Sequence, residues 1–178
     1  MADTQQATER AIAEWLTWEH PVPAQVWTEW TTHGVALVPL GKRFAAVRMP
    51  MDVVHAALDT DHPAQVASLL EQLLCGPIVY DRRVVGVTYY ALILSNAELV
   101  WAHEEVAPCL GRGIYLGVPR IDRRTPPGTY WVVAPRYAGN LCAPHAVASL
   151  IETGRQRLIQ SAELSLSEGP AVPWQPTS

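Results

Sequence analysis

Hydrophobic period changes several times along this chain, and the order of those changes limits the folds open to it. Ala7, Ala11, Ile12, Trp15 and Leu16 recur at helical spacing, which predicts a helix over 4–18. Pro21 and Pro23 end it, since proline has no N–H to continue the ladder. A second helix over 23–33 turns Val26, Trp27 and Trp30 inward, and Gly34 suits the left-handed position that closes a helix. Val35 to Leu40, a short apolar run between Gly34 and Gly41, predicts a buried strand, and Phe44 to Arg48 a second one. Pro50 fits the first turn of a helix carrying Val53, Val54, Ala57 and Leu58. A fourth helix over 62–75 aligns Val66, Leu69, Leu70, Leu73 and Leu74, and Gly76 closes it.

Beyond Gly76 the period shortens. Ile78 to Tyr80, a polar turn at Asp81-Arg82-Arg83, and Val84 to Leu94 read as a β-hairpin. Residues 96–107 read as helical. Gly113 to Val118 and Thr129 to Ala134 read as a strand pair joined by the loop PRIDRRTPPG. A last helix runs from Pro144 to about Leu164, broken near Gly154, and the Ser/Pro/Gly-rich residues 165–178 read as a flexible tail. Strands and helices thus alternate in blocks rather than as βα units. The expected fold is α+β: one domain over 1–164, a mixed or antiparallel sheet flanked by helices, with 1–33 as an N-terminal helical hairpin.

Composition narrows the function classes. With 49% hydrophobic and 17% charged residues, the chain can bury a core. The balance of 13 Lys+Arg against 17 Asp+Glu gives a net charge of −4, so any nucleic-acid surface must be a local patch. Lys42 is the single lysine, and arginine favours planar, bidentate ion pairs. Cys75, Cys109 and Cys142 form no CxxC pair and read as reduced thiols of a soluble, cytoplasmic protein. The polar, acidic N-terminus lacks the pattern of a signal peptide, and Val84 to Leu94 is too short to span a bilayer as a helix. No membrane partner is expected.

Few residues combine into chemistry. Asp59, Asp61 and His62 can offer oxygen and nitrogen ligands to a divalent ion. Between two helical segments the commoner role of Asp59, Thr60 and Asp61 is to cap a helix N-terminus. Asp81 at a strand end can ligate a metal, but Arg82 and Arg83 compete for its carboxylate. Arg112, Arg120, Arg123 and Arg124 would gather at one end of the sheet if the late strands pair. There they would bind phosphate or pair with Glu104, Glu105 and Asp122. The six histidines show no HxxxH or HxH spacing, and no GxSxG, GxxxxGK[ST] or GxGxxG motif occurs. Trp27 and Trp30 can stack bases, or serve as core or as a docking face.

The stretch Val26-Trp27-x-x-Trp30-x-x-His33-Gly34-Val35-Ala36-Leu37-Val38-Pro39-Leu40-Gly41-Lys42-Arg43 resembles the opening of bifunctional DNA primase/polymerase N-terminal (Prim-Pol) domains of the archaeo-eukaryotic primase superfamily. Phe44 to Pro50, Gly76 to Arg83, Gly113 to Pro119 and Gly128 to Pro135 are similar to its short actinobacterial members, so the resemblance covers about residues 20–155. It implies a primase-polymerase fold. Active members carry a DxD pair after a strand, a histidine in a glycine-flanked strand and a third carboxylate. Here Asp81 is followed by Arg83, the glycine-flanked strand reads Gly113-Ile114-Tyr115, and Trp131 to Pro135 holds no carboxylate.

The resemblance therefore implies a domain that no longer polymerises. It would bind a nucleotide or single-stranded nucleic acid through the remnant cleft, with Lys42, Arg82, Arg83 and Arg112 as phosphate contacts and no cofactor. One alternative is an interaction module that uses Trp27 and Trp30 against a protein partner or in a homodimer. The other is an active nucleotidyl transferase with Mg or Mn held by Asp59, Asp61 and Asp81.

Overall fold

The computed structural model describes residues 2–83 and 86–167. Helices α1 (Ala2–Thr17) and α2 (Pro23–His33) lead into strands β1 (Val35–Pro39) and β2 (Phe44–Pro50). Helices α3 (Met51–Leu58) and α4 (Pro63–Leu74) follow, then β3 (Ile78–Arg83) and β4 (Gly86–Leu94). A 3-10 helix (Ser95–Val100) precedes β5 (Cys109–Leu110), β6 (Tyr115–Pro119), β7 (Tyr130–Val133) and α5 (Pro144–Ser167). The fold is α+β, with antiparallel sheets flanked by helices.

A five-stranded sheet in the order β5-β2-β4-β3-β7 forms the centre, and β1 and β6 make a separate two-stranded ribbon. Alternation along β2 and β4 sends successive side chains to opposite faces. Ala45, Val47, Met49, Tyr89, Ala91 and Ile93 meet α3, α4 and α5 in one core. Phe44, Ala46, Tyr90 and Leu92 meet α1, α2 and the inner side of the ribbon in another. Both faces of the sheet are thus covered over most of its length.

The N-terminal helices form where the sequence places them, but Trp27, expected inward, is exposed, and only Val26 and Trp30 of α2 are buried. Pro23 opens α2, and Gly34 closes it at φ 72° with its N–H on the Trp30 carbonyl. A side chain at Gly34 would also collide with Arg123, whose Nη1 lies 2.6 Å from where a Cβ would sit. In α1 the buried face is Ile12, Ala13, Trp15 and Leu16, while Ala7 and Ala11, expected on it, are exposed. The indole of Trp30 is buried and donates to the Val118 carbonyl at 2.9 Å, which ties α2 to β6.

Five local expectations are corrected. Asp81-Arg82-Arg83 is not a turn: β3 runs through it, with Asp81 opposite Thr88 and Arg83 opposite Gly86. The two late strands do not pair with each other. Strand β6 pairs with β1 and β7 with β3. Residues 96–107 hold only a 3-10 helix, which Trp101 ends by donating its indole N–H to the Ala107 carbonyl at 2.8 Å. Helix α5 is unbroken through Gly154, which is buried where α5 crosses α3. Ser165, Leu166 and Ser167, read as tail, belong to α5. The remaining tail residues 168–178 and Val84-Val85 lie outside the described residues.

One buried charge makes stability depend on pH. Glu19, after α1, accepts the Arg43 N–H at 2.8 Å through Oε1 and so holds the β1–β2 turn, while its Oε2 is buried without a partner. Burial pushes the Glu19 carboxyl above its ordinary 4.5, outweighing the N–H donors and cations of Lys42 and Arg43. Because the folded-state value is raised, the stabilising contribution is complete below pH 4.5 and is lost as pH rises through the folded-state value. Glu19→Gln should flatten this slope. Urea unfolding of both proteins across mildly acidic to neutral pH reads it; parallel pH profiles would contradict the assignment.

Candidate functional site

At the Pro50 and Gly86 end of the central sheet, polar side chains gather on the face that carries α1, α2 and the ribbon. Val79 belongs to that face's core, so alternation along β3 places Asp81 and Arg83 on the same face and Arg82 on the opposite one. Thr88 stands opposite Asp81 on β4, and Tyr90 stands between Arg48 of β2 and Val79 of β3. The strands set this arrangement because pairing with β4 outweighs the poor strand propensity of Asp-Arg-Arg.

Asp81 is only 7% exposed, and both its oxygens are engaged. Thr129 Oγ1 donates to Oδ1 at 2.8 Å, and Arg83 Nε donates to Oδ2 at 2.6 Å. A buried carboxylate needs such partners, and charge-assisted bonds of this length are the strong ones. Asp81 in turn raises the pKa of Arg83. Thr129 is held from behind: its carbonyl accepts Arg123 Nε at 2.8 Å, and Arg123 also donates to Pro127. The network thus runs from Arg123 through Thr129 to Asp81 and Arg83.

Arg48 is different. It is exposed, and no carboxylate lies within 4.0 Å of its guanidinium among the described residues. It lines a cleft of about 380 Å³ with Met51, Asp52, Thr88, Val106 and Pro108. Tyr90 beside it has a raised pKa, from burial first and from the Asp81 charge second, with Arg48 and Arg83 opposing. An open guanidinium one strand removed from an internally neutralised carboxylate is suited to anions, and Arg83 already supplies the positive charge that a metal would bring to Asp81.

The other candidates are dispersed. Asp59 ends α3 in the left-handed region at φ 55°, and it caps no helix N-terminus. Thr60 rather than either aspartate orders the junction, accepting the His62 N–H at 3.2 Å and donating to Gln65 at 2.7 Å. Asp59 and Asp61 are exposed beside α3 and α4, on the far side of the sheet from Asp81, so the three carboxylates do not share a site. Among the described residues, no group of three His, Cys, Asp or Glu is placed to hold a metal.

The phosphate candidates also divide. Ser95 Oγ donates to the Lys42 carbonyl, and the Leu40 N–H bonds the Ile114 carbonyl two residues after Arg112. Lys42 and Arg112 therefore lie at the Leu94 end of the sheet. Arg82 and Arg83 lie at the Gly86 end, about 27 Å away along β4 at about 3.4 Å per residue. Arg120 forks onto Asp122, Arg124 reaches Glu9 at 3.4 Å, and Arg112 stands at the opposite end of β6 from them. Trp30 is core. Trp27, 41% exposed and edge-on to Trp30, lines a cleft of about 570 Å³ with Ala13 and Ile121. Cys109 and Cys142 are buried and their thiols pushed up to about 12, which leaves them inert at neutral pH.

Sequence reasoning missed Arg48, Tyr90 and Thr129. Arg48 had a signal: it is the one charged residue in the strand FAAVRMP, and period-two alternation assigns it to the Phe44 face. No protein-family model, curated protein or solved structure matches this chain.

Proposed function

We propose that this chain is a catalytically silent, primase-polymerase-like domain that binds a phosphate-bearing ligand, a nucleotide or single-stranded nucleic acid, at the Gly86 end of its central sheet. The observation that carries this reading is the Asp81–Arg83 pair, with Arg48 open on the same face. Two metal ions in a polymerase neutralise developing phosphate charge between carboxylates. Here a guanidinium already occupies the carboxylate, so binding is independent of divalent cations and no hydroxyl is activated. Phosphate pairing with Arg48 is bidentate and falls with salt.

Binding of a fluorescent oligothymidylate at low salt tests the assignment. Arg48→Glu should weaken it by about tenfold or more, a loss of at least about 1.4 kcal/mol. Lys42→Glu and Arg112→Glu, at the other end of the sheet, should leave it nearly unchanged. Equal weakening by all three variants would mean diffuse attraction rather than a site. The competing reading, an interaction module, now rests on Trp27 alone; Trp27→Ala, at an exposed position, would then lose a partner while leaving oligothymidylate binding intact.

A further inference from the structure

We infer that β6 is the contact strand of a homodimer, in which two copies of the ribbon join edge to edge into a four-stranded antiparallel sheet. The inference is independent of the phosphate reading. In the ribbon, the pairs 34–120 and 40–114 are hydrogen-bonded, by Arg120 N–H to Gly34 and Leu40 N–H to Ile114. In an antiparallel ladder the bonded pairs alternate with unbonded ones, so even-numbered residues bond across the ribbon and odd-numbered residues point their N–H and C=O outward. On the β1 side this edge is closed: Glu29 Oε2 accepts the Leu37 N–H at 2.8 Å, and Pro39 has no N–H. On the β6 side, the Pro119 carbonyl accepts the Trp131 indole N–H at 3.0 Å, which ends the edge there. Tyr115 and Gly117 remain, with no partner strand and no other acceptor or donor among the described residues.

Free edges are ordinarily protected by charge, proline or cover. The strands VALVP and YLGVP carry no charged residue, and their outward face holds Leu37 at 55% and Tyr115 at 56% exposure. The open stretch is complementary to itself. A two-fold axis through Leu116 sets Tyr115 opposite Gly117 of the second copy, and Gly117 opposite Tyr115, and each pair exchanges both N–H···O=C bonds. The tyrosine ring then lies over a residue with no side chain. A Cβ at Gly117 would meet only Val35 Cγ1, at 3.3 Å, so the space above it is open. Aromatic cover of an edge glycine is a recognised way of completing a sheet surface. Leu37 flanks each ring across the strand, because it is the register partner of Gly117. So short an edge makes a small interface, which suits a weak, transient dimer rather than an obligate one.

Sedimentation equilibrium from micromolar to near-millimolar protein, joined to amide hydrogen exchange, tests the inference. The expected result is a reversible monomer–dimer equilibrium in which the Tyr115 and Gly117 amides slow as concentration rises. Tyr115→Lys, at an exposed position, should be monomeric throughout with an unchanged far-ultraviolet spectrum, whereas Tyr115→Phe should still dimerise. A monomer at every concentration would overturn the proposal. So would a dimer whose Tyr115 and Gly117 amides exchange as fast as in the monomer, or one that Tyr115→Lys leaves intact.

Discussion

Arg83→Asp should turn a metal-indifferent protein into one that depends on manganese for its stability. Residues 81 and 83 lie on one face of β3, about 7 Å apart along the strand. The wild-type guanidinium satisfies Asp81 Oδ2; the variant places a second carboxylate beside a buried one instead. Leaving a buried charge without its partner costs about 3–5 kcal/mol, and like-charge repulsion adds to it. A divalent ion with oxygen ligands removes both penalties. The wild type should therefore melt at the same temperature with or without manganese. The variant should melt well below it and recover on adding manganese, since a ligand bound only by the folded state stabilises that state. A variant destabilised but blind to manganese would show that the two positions do not converge, and that the Asp81–Arg83 pair is not a stand-in for a metal.

Gly154→Val should come close to unfolding the domain. A Cβ at this position would lie 2.1 Å from the Val53 carbonyl oxygen and 2.9 Å from its Cγ1. Both neighbours belong to α3, whose first turn is anchored by buried Val53 and Val54, so neither can yield cheaply. Overpacking of this kind costs about 1–3 kcal/mol in side-chain space, and a backbone collision costs more. A loss of at least about 3 kcal/mol is a large part of the stability of a typical domain. Urea denaturation should show the midpoint falling sharply, whereas an unchanged midpoint would mean that α5 does not cross α3 at this glycine.

What the sequence disclosed and what it hid follow from the range of the interactions involved. Local chemistry was legible: Pro23 and Gly34 bound α2 at both ends, and Val53, Val54, Val66, Leu70 and Leu74 are buried as their spacing predicts, although Leu73 of the same expected face is exposed. Pairing was not. Strand β6 finds β1 some eighty residues upstream, and no periodicity within either strand names its partner. Asp81-Arg82-Arg83 looks like a turn because its residues favour turns, and only the β4 ladder and the Thr129 hydroxyl make it a strand. Gly154 resembles a helix breaker until α3 is known to press against it.

The candidate site divides in the same way. Asp81 and Arg83 were visible as neighbours in sequence, though as competitors for a metal rather than as a settled pair. Lys42 and Arg112 were grouped with Arg82 and Arg83 by charge alone, and the length of β4 separates them. Arg48 became a candidate only when register set it beside Tyr90 and left it without a carboxylate.

The central claim is that this site binds phosphate without a metal. Titration of intrinsic tryptophan fluorescence with a nucleoside triphosphate, in matched samples with and without manganese, tests it most directly. Buried Trp131 packs beside Val79 on the face that carries Asp81 and Arg83, and so reports on the Asp81 side of the site. The account predicts a saturable change of the same midpoint in both samples, weakened in Arg48→Glu. Saturation only with manganese, or no change at millimolar ligand, would contradict it.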